Sequence, residues 1–225
     1  FGWDPEKSFY VPDEVKAHMA DVAAKGKDAQ AAWEKMFAEY GINFSFDDYK
    51  EKVDGIPRID GAKAILVGAD DSKIEEAATR KQEIFLDLIS KDKIPAYNST
   101  VDFIKLLKTE QKLVAFASSS KNCKRILKRV GIIDLADTII DGNDLTKGKP
   151  DPQIFQLAAK ALKCEAKDCA VFEDALLGVE ASKNAGMVSV GIDRYNEPSR
   201  LNKADIVIND LAELSLNKLE ELFIK

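Results

Sequence analysis

Two adjacent carboxylates, Glu173 and Asp174, close the short apolar run Cys169 to Phe172 and are followed at once by an amphipathic stretch ending at Gly186. This is the pattern of a buried parallel strand that brings two acids to its C-terminal tip before a helix carries the chain away. In an open α/β sheet, ligands sit beyond the carboxyl ends of the strands. Acid oxygens placed there suit a hard cation such as Mg²⁺, which prefers carboxylate and keeps several waters. A second run, KLVAFASSSKN (112–122), is a strand of the same kind ending in Ser118, Ser119, Ser120, Lys121 and Asn122. Between the two, TKGKPDPQIF (146–155) sets Lys149 in a Gly/Pro-punctuated loop just before a helix. Hydroxyls and a lysine can hold a phosphate, and the acids can hold its cation.

The elements that must position these groups fall into three segments. Residues 1–27 read as an extended aromatic arm, FGWDPEKSFYVP, then a helix capped by Asp13 and running to about Ala24. Residues 28–94 read as helix after helix: one from Asp28 to Tyr40 with Ala32, Trp33, Met36, Phe37 and Tyr40 on its apolar face, a short one from Ser45 or Asp47, a turn over 53–61 that carries Arg58, and two more at 60–67 and 72–90. From residue 95 to 225 the character changes to alternation. Strands are expected at 112–117, 138–140, 169–172, 187–192 and 205–208, and helices at 99–109, 121–130, 152–163, 175–185 and 214–223. The expected class is therefore α/β, a doubly wound parallel sheet joined to a small all-helical unit.

A chain of 225 residues can bury a full core. Its net charge of -6 and pI near 5.1 come from interspersed acids and bases, without the basic stripe that nucleic acid requires. No window approaches 18 consecutive apolar residues, so no membrane span is expected. Three cysteines are an odd number for a disulfide framework, and Cys164 and Cys169 read as packing residues. The single histidine, His18, lies in a charged helical stretch and reads as solvated. A monomer in the reducing cytoplasm is expected.

From about Ala31 to the C-terminus the sequence resembles the haloacid dehalogenase superfamily, near its beta-phosphoglucomutase and sugar-phosphate phosphatase branch. The resemblance implies that Ser118 binds the transferring phosphoryl group, that Lys149 in GKPDPQIF neutralises it, and that Glu173 and Asp174 in VFEDALLGVEA hold Mg²⁺. AAWEKMFAEYGI (31–42) matches the first helix of that family's cap. Gly55 and Arg58 then fall where a substrate's distal phosphate is gripped, with Ser120, Lys121 and Asn122 completing the grip. The implied chemistry is phosphoryl transfer or hydrolysis on a small phosphorylated sugar, which asks mainly for positioning and charge neutralisation.

One part of the family pattern is missing. The family opens with a strand ending in Asp-x-Asp, whose first Asp is the nucleophile and whose second is the general acid/base, yet no Asp-x-Asp occurs anywhere in these residues. The nearest string, Phe1-Gly2-Trp3-Asp4, places Gly2 at the nucleophile position and leaves Asp4 as a nominal acid. Glycine cannot form an aspartyl-phosphate. Residues 1–40 instead resemble a short transketolase segment that carries none of that family's cofactor or catalytic residues, and the junction reads as a fusion, a recombinant chimera or a misassembled reading frame. Omitting a central strand leaves neighbours about 10 Å apart with unpaired backbone on both sides. Residues preceding Phe1, the 1–12 arm or a strand donated by a partner would fill such a slot. Two expectations follow: a Mg²⁺-dependent phosphomutase or phosphatase, or a catalytically silent module that binds phosphate and Mg²⁺ without turnover.

Overall fold

The computed structural model describes residues 27–54, 56–91 and 96–224. The 1–12 arm with Asp4, the helix expected from Asp13, His18 and Gly55 lie outside the described residues.

The regular elements of the described residues 27–91 are all helices. Helix α1 (Lys27–Glu39) places Ala32, Trp33, Met36 and Phe37 on one stripe, all buried. It stops at Gly41, whose φ of +70° lets the Ile42 amide turn back to the Phe37 carbonyl at 3.0 Å. Ser45 then caps a single helical turn through a reciprocal capping box with Asp48. That turn runs into a π-helix, Tyr49–Val53, which the sequence pattern did not suggest. Helix α2 (Arg58–Ile65) follows Pro57, and α3 (Asp71–Lys91) packs its Ile74, Ala77, Ala78, Phe85 and Ile89 stripe against α1. Trp33 stacks on Phe37 at 5.4 Å between centroids, and Phe37 meets Phe44 at 4.9 Å. Each fully buried side chain of this size contributes roughly 1.5–3 kcal/mol.

The α/β alternation begins with α4 (Asn98–Thr109) and β1 (Ala115–Ala117). It continues through α5 (Cys123–Val130), β2 (Thr138–Ile140), α6 (Gln153–Leu162), β3 (Ala170–Glu173), α7 (Leu176–Asn184), β4 (Val188–Ile192), β5 (Ile206–Ile208) and α8 (Leu216–Glu221). Every strand pairing is parallel, as expected. Val171 feeds one apolar cluster, under α6 and α7, while Phe172 feeds another beneath it, where it meets Phe103 of α4 at 5.5 Å. Alternate residues of β3 thus face opposite helix layers, which is the doubly wound arrangement.

The sheet, however, comes in two pieces. β1 pairs with β2, and β3 pairs with β4 and β5, and among the described residues no ladder joins β1 to β3. Helix α6 nevertheless lies across both pieces, because Ala115, Ala117, Ile140 and Val171 share its Ile154, Phe155 and Ala158. The two pieces are therefore neighbours in one layer.

Three boundaries differ from expectation for local reasons. The strand expected from 112 starts only at Ala115, because Val114 is held by the Asp137 side chain (2.7 Å) and its carbonyl by the Asp137 amide (2.8 Å). Arg58 is not in a turn: Pro57, extended at φ -58° and ψ 145°, starts a helix there. Glu173 is the last residue of its strand, not the first residue beyond it.

Candidate active site

The C-terminal ends of β1 and β3, the loop around Lys149 and the helical region enclose a cleft of about 920 Å³. It gathers Arg58, Ser118, Ser120, Lys121, Asn122, Lys149, Glu173 and Asp174 from stretches more than a hundred residues apart. Of the candidate site residues named from the sequence, Asp4 and Gly55 lie outside the described residues.

Two hydroxyl bonds wind the loop after β1. The Ser118 amide extends the ladder to the Ile140 carbonyl (3.0 Å), the Ser118 hydroxyl accepts from the Ser120 amide (3.2 Å), and the Ser120 hydroxyl accepts from the Asn122 amide (3.1 Å). The Ser120 hydroxyl keeps its own hydrogen for a ligand. Asn122 is already engaged: its side-chain amide exchanges two hydrogen bonds with that of Gln82 on α3, at 2.8 and 2.9 Å. It ties the α/β region to the helical region, so a direct ligand contact would require this pair to open.

Lys149 Nζ forms an ion pair with Glu173, both side chains less than a tenth exposed. The Glu173 carboxylate also lies against Gly178 of α7. A Cβ there would sit 2.2–2.5 Å from its atoms, so only glycine leaves room. On the other side, Gly148 packs under Pro57, setting the Lys149 loop against the start of α2. Asp174 is exposed and faces the cleft.

Two residues that sequence reasoning passed over complete the site. Asp54 is drawn into the cleft by the π-helical turn before it, and its carboxyl is pushed up to about 7 by burial first and by the charge of Asp174 next. Arg200 offsets it from 3.8 Å, lying over the Tyr195 ring (4.7 Å). Lys81 on α3 is pushed down to about 8 by burial first and then by Arg58. Its ammonium sits over the Trp33 and Phe85 rings at 5.0 and 4.8 Å, with no carboxylate partner among the described residues. Nothing in local pattern marks Lys81 apart from the other charges of KIEEAATRKQEIF. Asp54 had one signal, its place beside Gly55 in VDGIPRIDG.

The cleft is thus charged in two ways. Asp54 feels the charges of Asp174, Glu173 and Lys149, Lys81 feels that of Arg58, and Lys121 lines the same cleft. No three acids, cysteines or histidines among the described residues lie close enough to hold a metal by themselves. The donor set still fits Mg²⁺: a divalent cation would relieve the repulsion that Asp174 adds to burial in raising Asp54, and Mg²⁺ typically takes one or two carboxylates plus phosphate and water oxygens.

Comparison with known proteins points to one family. A family model described as haloacid dehalogenase-like hydrolase matches residues 12–186. A beta-phosphoglucomutase of Bacillus subtilis is 38% identical over 201 residues, covering 84% of this chain and 85% of that protein. A phosphorylated carbohydrates phosphatase of Thermotoga maritima is 25% identical over 198 residues, 85% of this chain and 90% of its own. The crystal structure of a beta-phosphoglucomutase from Clostridium difficile superposes with a TM-score of 0.81 at 25% identity, over 89% of this chain and 91% of its own.

Proposed function

The chain belongs to the haloacid dehalogenase-like hydrolase family, and from that premise we propose that its cleft binds a small phosphorylated sugar for phosphoryl transfer or hydrolysis. The observation that carries this reading is that one cleft gathers a cluster of acids, Asp54, Glu173 and Asp174, with the cations Arg58, Lys81, Lys121 and Lys149 and the Ser118 and Ser120 hydroxyls. The reacting phosphate lies between the Ser118 hydroxyl and the Lys149 ammonium, which donate to its oxygens and neutralise charge as it develops. Arg58 offers a planar fork to a second phosphate or to the sugar's far end, with Lys81, Lys121 and the Ser120 hydroxyl beside it. Asp174, with Asp54, would hold Mg²⁺, which supplies Lewis-acid charge stabilisation when bound. Glu173 acts through Lys149, holding its ammonium in place. Residues 27–91 serve as a cap that keeps water from the phosphate.

A second reading rests on one observation: these residues contain no Asp-x-Asp. In that reading the cleft binds sugar phosphate and Mg²⁺ without turnover.

Calorimetry with glucose phosphates and Mg²⁺, run beside phosphate-release and phosphomutase assays, separates the two. Binding that weakens at least about tenfold in Asp174→Asn and in Arg58→Ala, as the loss of one charged contact requires, supports the site. Product formed by the wild type and lost in Asp174→Asn assigns the enzyme. Binding without product assigns the silent module, and no binding of any sugar phosphate overturns both.

A further inference from the structure

Cys164 and Cys169 bracket the turn that enters β3. Lys163 leaves α6 in the left-handed conformation at φ +59°, a 3₁₀ turn (Ala166–Asp168) follows, and the Cys169 amide bonds back to the Ala166 carbonyl at 3.1 Å. This reversal brings the two side chains to the same side of the turn, near enough for Cys164 to bear on the proton affinity of the Cys169 thiol. Each sulfur also reaches a carbonyl of the same turn, Cys164 Sγ to Leu162 at 3.6 Å and Cys169 Sγ to Glu165 at 3.2 Å. Both residues are partly exposed and both thiols are free. The third cysteine, Cys123, is buried at 6% exposure, and burial pushes its thiol up to about 11.

We propose that Cys164 and Cys169 form a dithiol that a small disulfide such as glutathione disulfide closes reversibly to an intrachain disulfide. One cysteine, as thiolate, attacks a sulfur of the small disulfide, whose S–S bond breaks to release one thiolate and leave a mixed disulfide. The other cysteine, as thiolate, attacks the first cysteine's sulfur and expels the second small thiolate. The two released thiolates take up the protons that the cysteines lost, so two protein thiols are oxidised while one disulfide is reduced to two thiols. Burial, then Cys164 and Asp168, hold the Cys169 thiol above its ordinary value, so closure speeds up in alkaline solution. The pair stands at the opposite end of β3 from Glu173, roughly 13 Å away at about 3.3 Å per residue. The proposal is therefore independent of the sugar-phosphate reading.

The test uses the whole chain, reduced, freed of reductant and incubated with glutathione disulfide in mildly alkaline buffer. Trypsin cuts after Lys163, Lys167 and Lys183, which places the two cysteines in separate peptides, 164–167 and 168–183. The expected product is lighter by two hydrogens and yields those two peptides joined. On denaturation it shows one titratable thiol in place of the three that the sequence holds, and dithiothreitol restores all three. Cys164→Ser and Cys169→Ser should each stop at a mixed disulfide on the remaining cysteine. Phenylarsine oxide, which bridges paired thiols, should bind the wild type one to one and neither variant. Stable glutathione adducts without the cross-link, or three unreacted thiols while iodoacetamide labels both positions, would overturn the proposal.

Discussion

Residues 27–91 pool their apolar side chains in one cluster, from Trp33 and Phe37 on α1 through Phe44 and Val53 to Ile74 and Ile89 on α3. Residues 96–224 divide theirs between two, one behind β1, β2 and β3 and one beneath β3, β4 and β5. In the helical region many charged groups stay at the rim, as in the exposed bidentate pair of Arg80 and Glu39. In the α/β region they enter the interior at the seam between β1 and β3, where Lys149 and Glu173 meet out of water. Chemistry collects where apolar packing is interrupted, because only there can charges be desolvated and still face a ligand. The helical region adds its own charges to that seam through Asp54, Arg58 and Lys81.

The contrast is broken most sharply at Lys149. In Lys149→Met, Glu173 stays buried without its counter-charge, which should cost about 3–5 kcal/mol in urea unfolding near neutral pH. Adding Glu173→Gln should restore most of the loss. A single variant as stable as wild type would mean that the seam is not held by charge.

Asp54 sharpens the comparison through pH. Its folded carboxyl, near 7 against an ordinary 3.8, binds a proton more tightly than the unfolded chain does. The resulting stability is present below the ordinary value and is lost as pH rises through about 7, at up to roughly 1.4 kcal/mol per pH unit. Asp54→Asn should flatten that part of the unfolding profile in buffer without divalent cations. Coincident profiles would show that Asp54 is already ionised across that range.

The smallest effect is expected at the joint between the regions. Gln82→Ala removes both amide hydrogen bonds to Asn122 and should cost about 1–2 kcal/mol. Faster hydrogen exchange should appear in residues 118–122 and not in α1. Exchange that quickens equally in α1 would mean that the two regions open as one.

Much of the site was legible because its residues sit at strand ends. An apolar run closed by Ser118 or by Glu173 and Asp174 states both the strand and the group at its tip, and parallel strands deliver their tips to one edge. Lys149 was marked by the glycine and prolines around it. Asp54 and Lys81 were hidden for the opposite reason. A lone acid after a helix and one lysine among many acquire meaning only when burial shifts their proton affinity, and burial is a property of the neighbours. Asn122 was assigned to ligand contact by resemblance, and its exchange of hydrogen bonds with Gln82, 40 residues earlier, could not be read from either stretch.

Period and punctuation therefore determined the elements, the parallel sheet and most of the acids, hydroxyls and lysines, since these follow from which side chains must leave water along a single strand or helix. The lack of an Asp-x-Asp was likewise plain in the sequence. Tertiary structure alone decided that β1 and β3 carry separate ladders, that Glu173 neutralises Lys149 while Asp174 faces the open cleft, and that the helical region lends Asp54 and Lys81 to the site. Those outcomes depend on distances between residues far apart in the chain, and hydrogen bonding, charge pairing and desolvation take effect only at those distances.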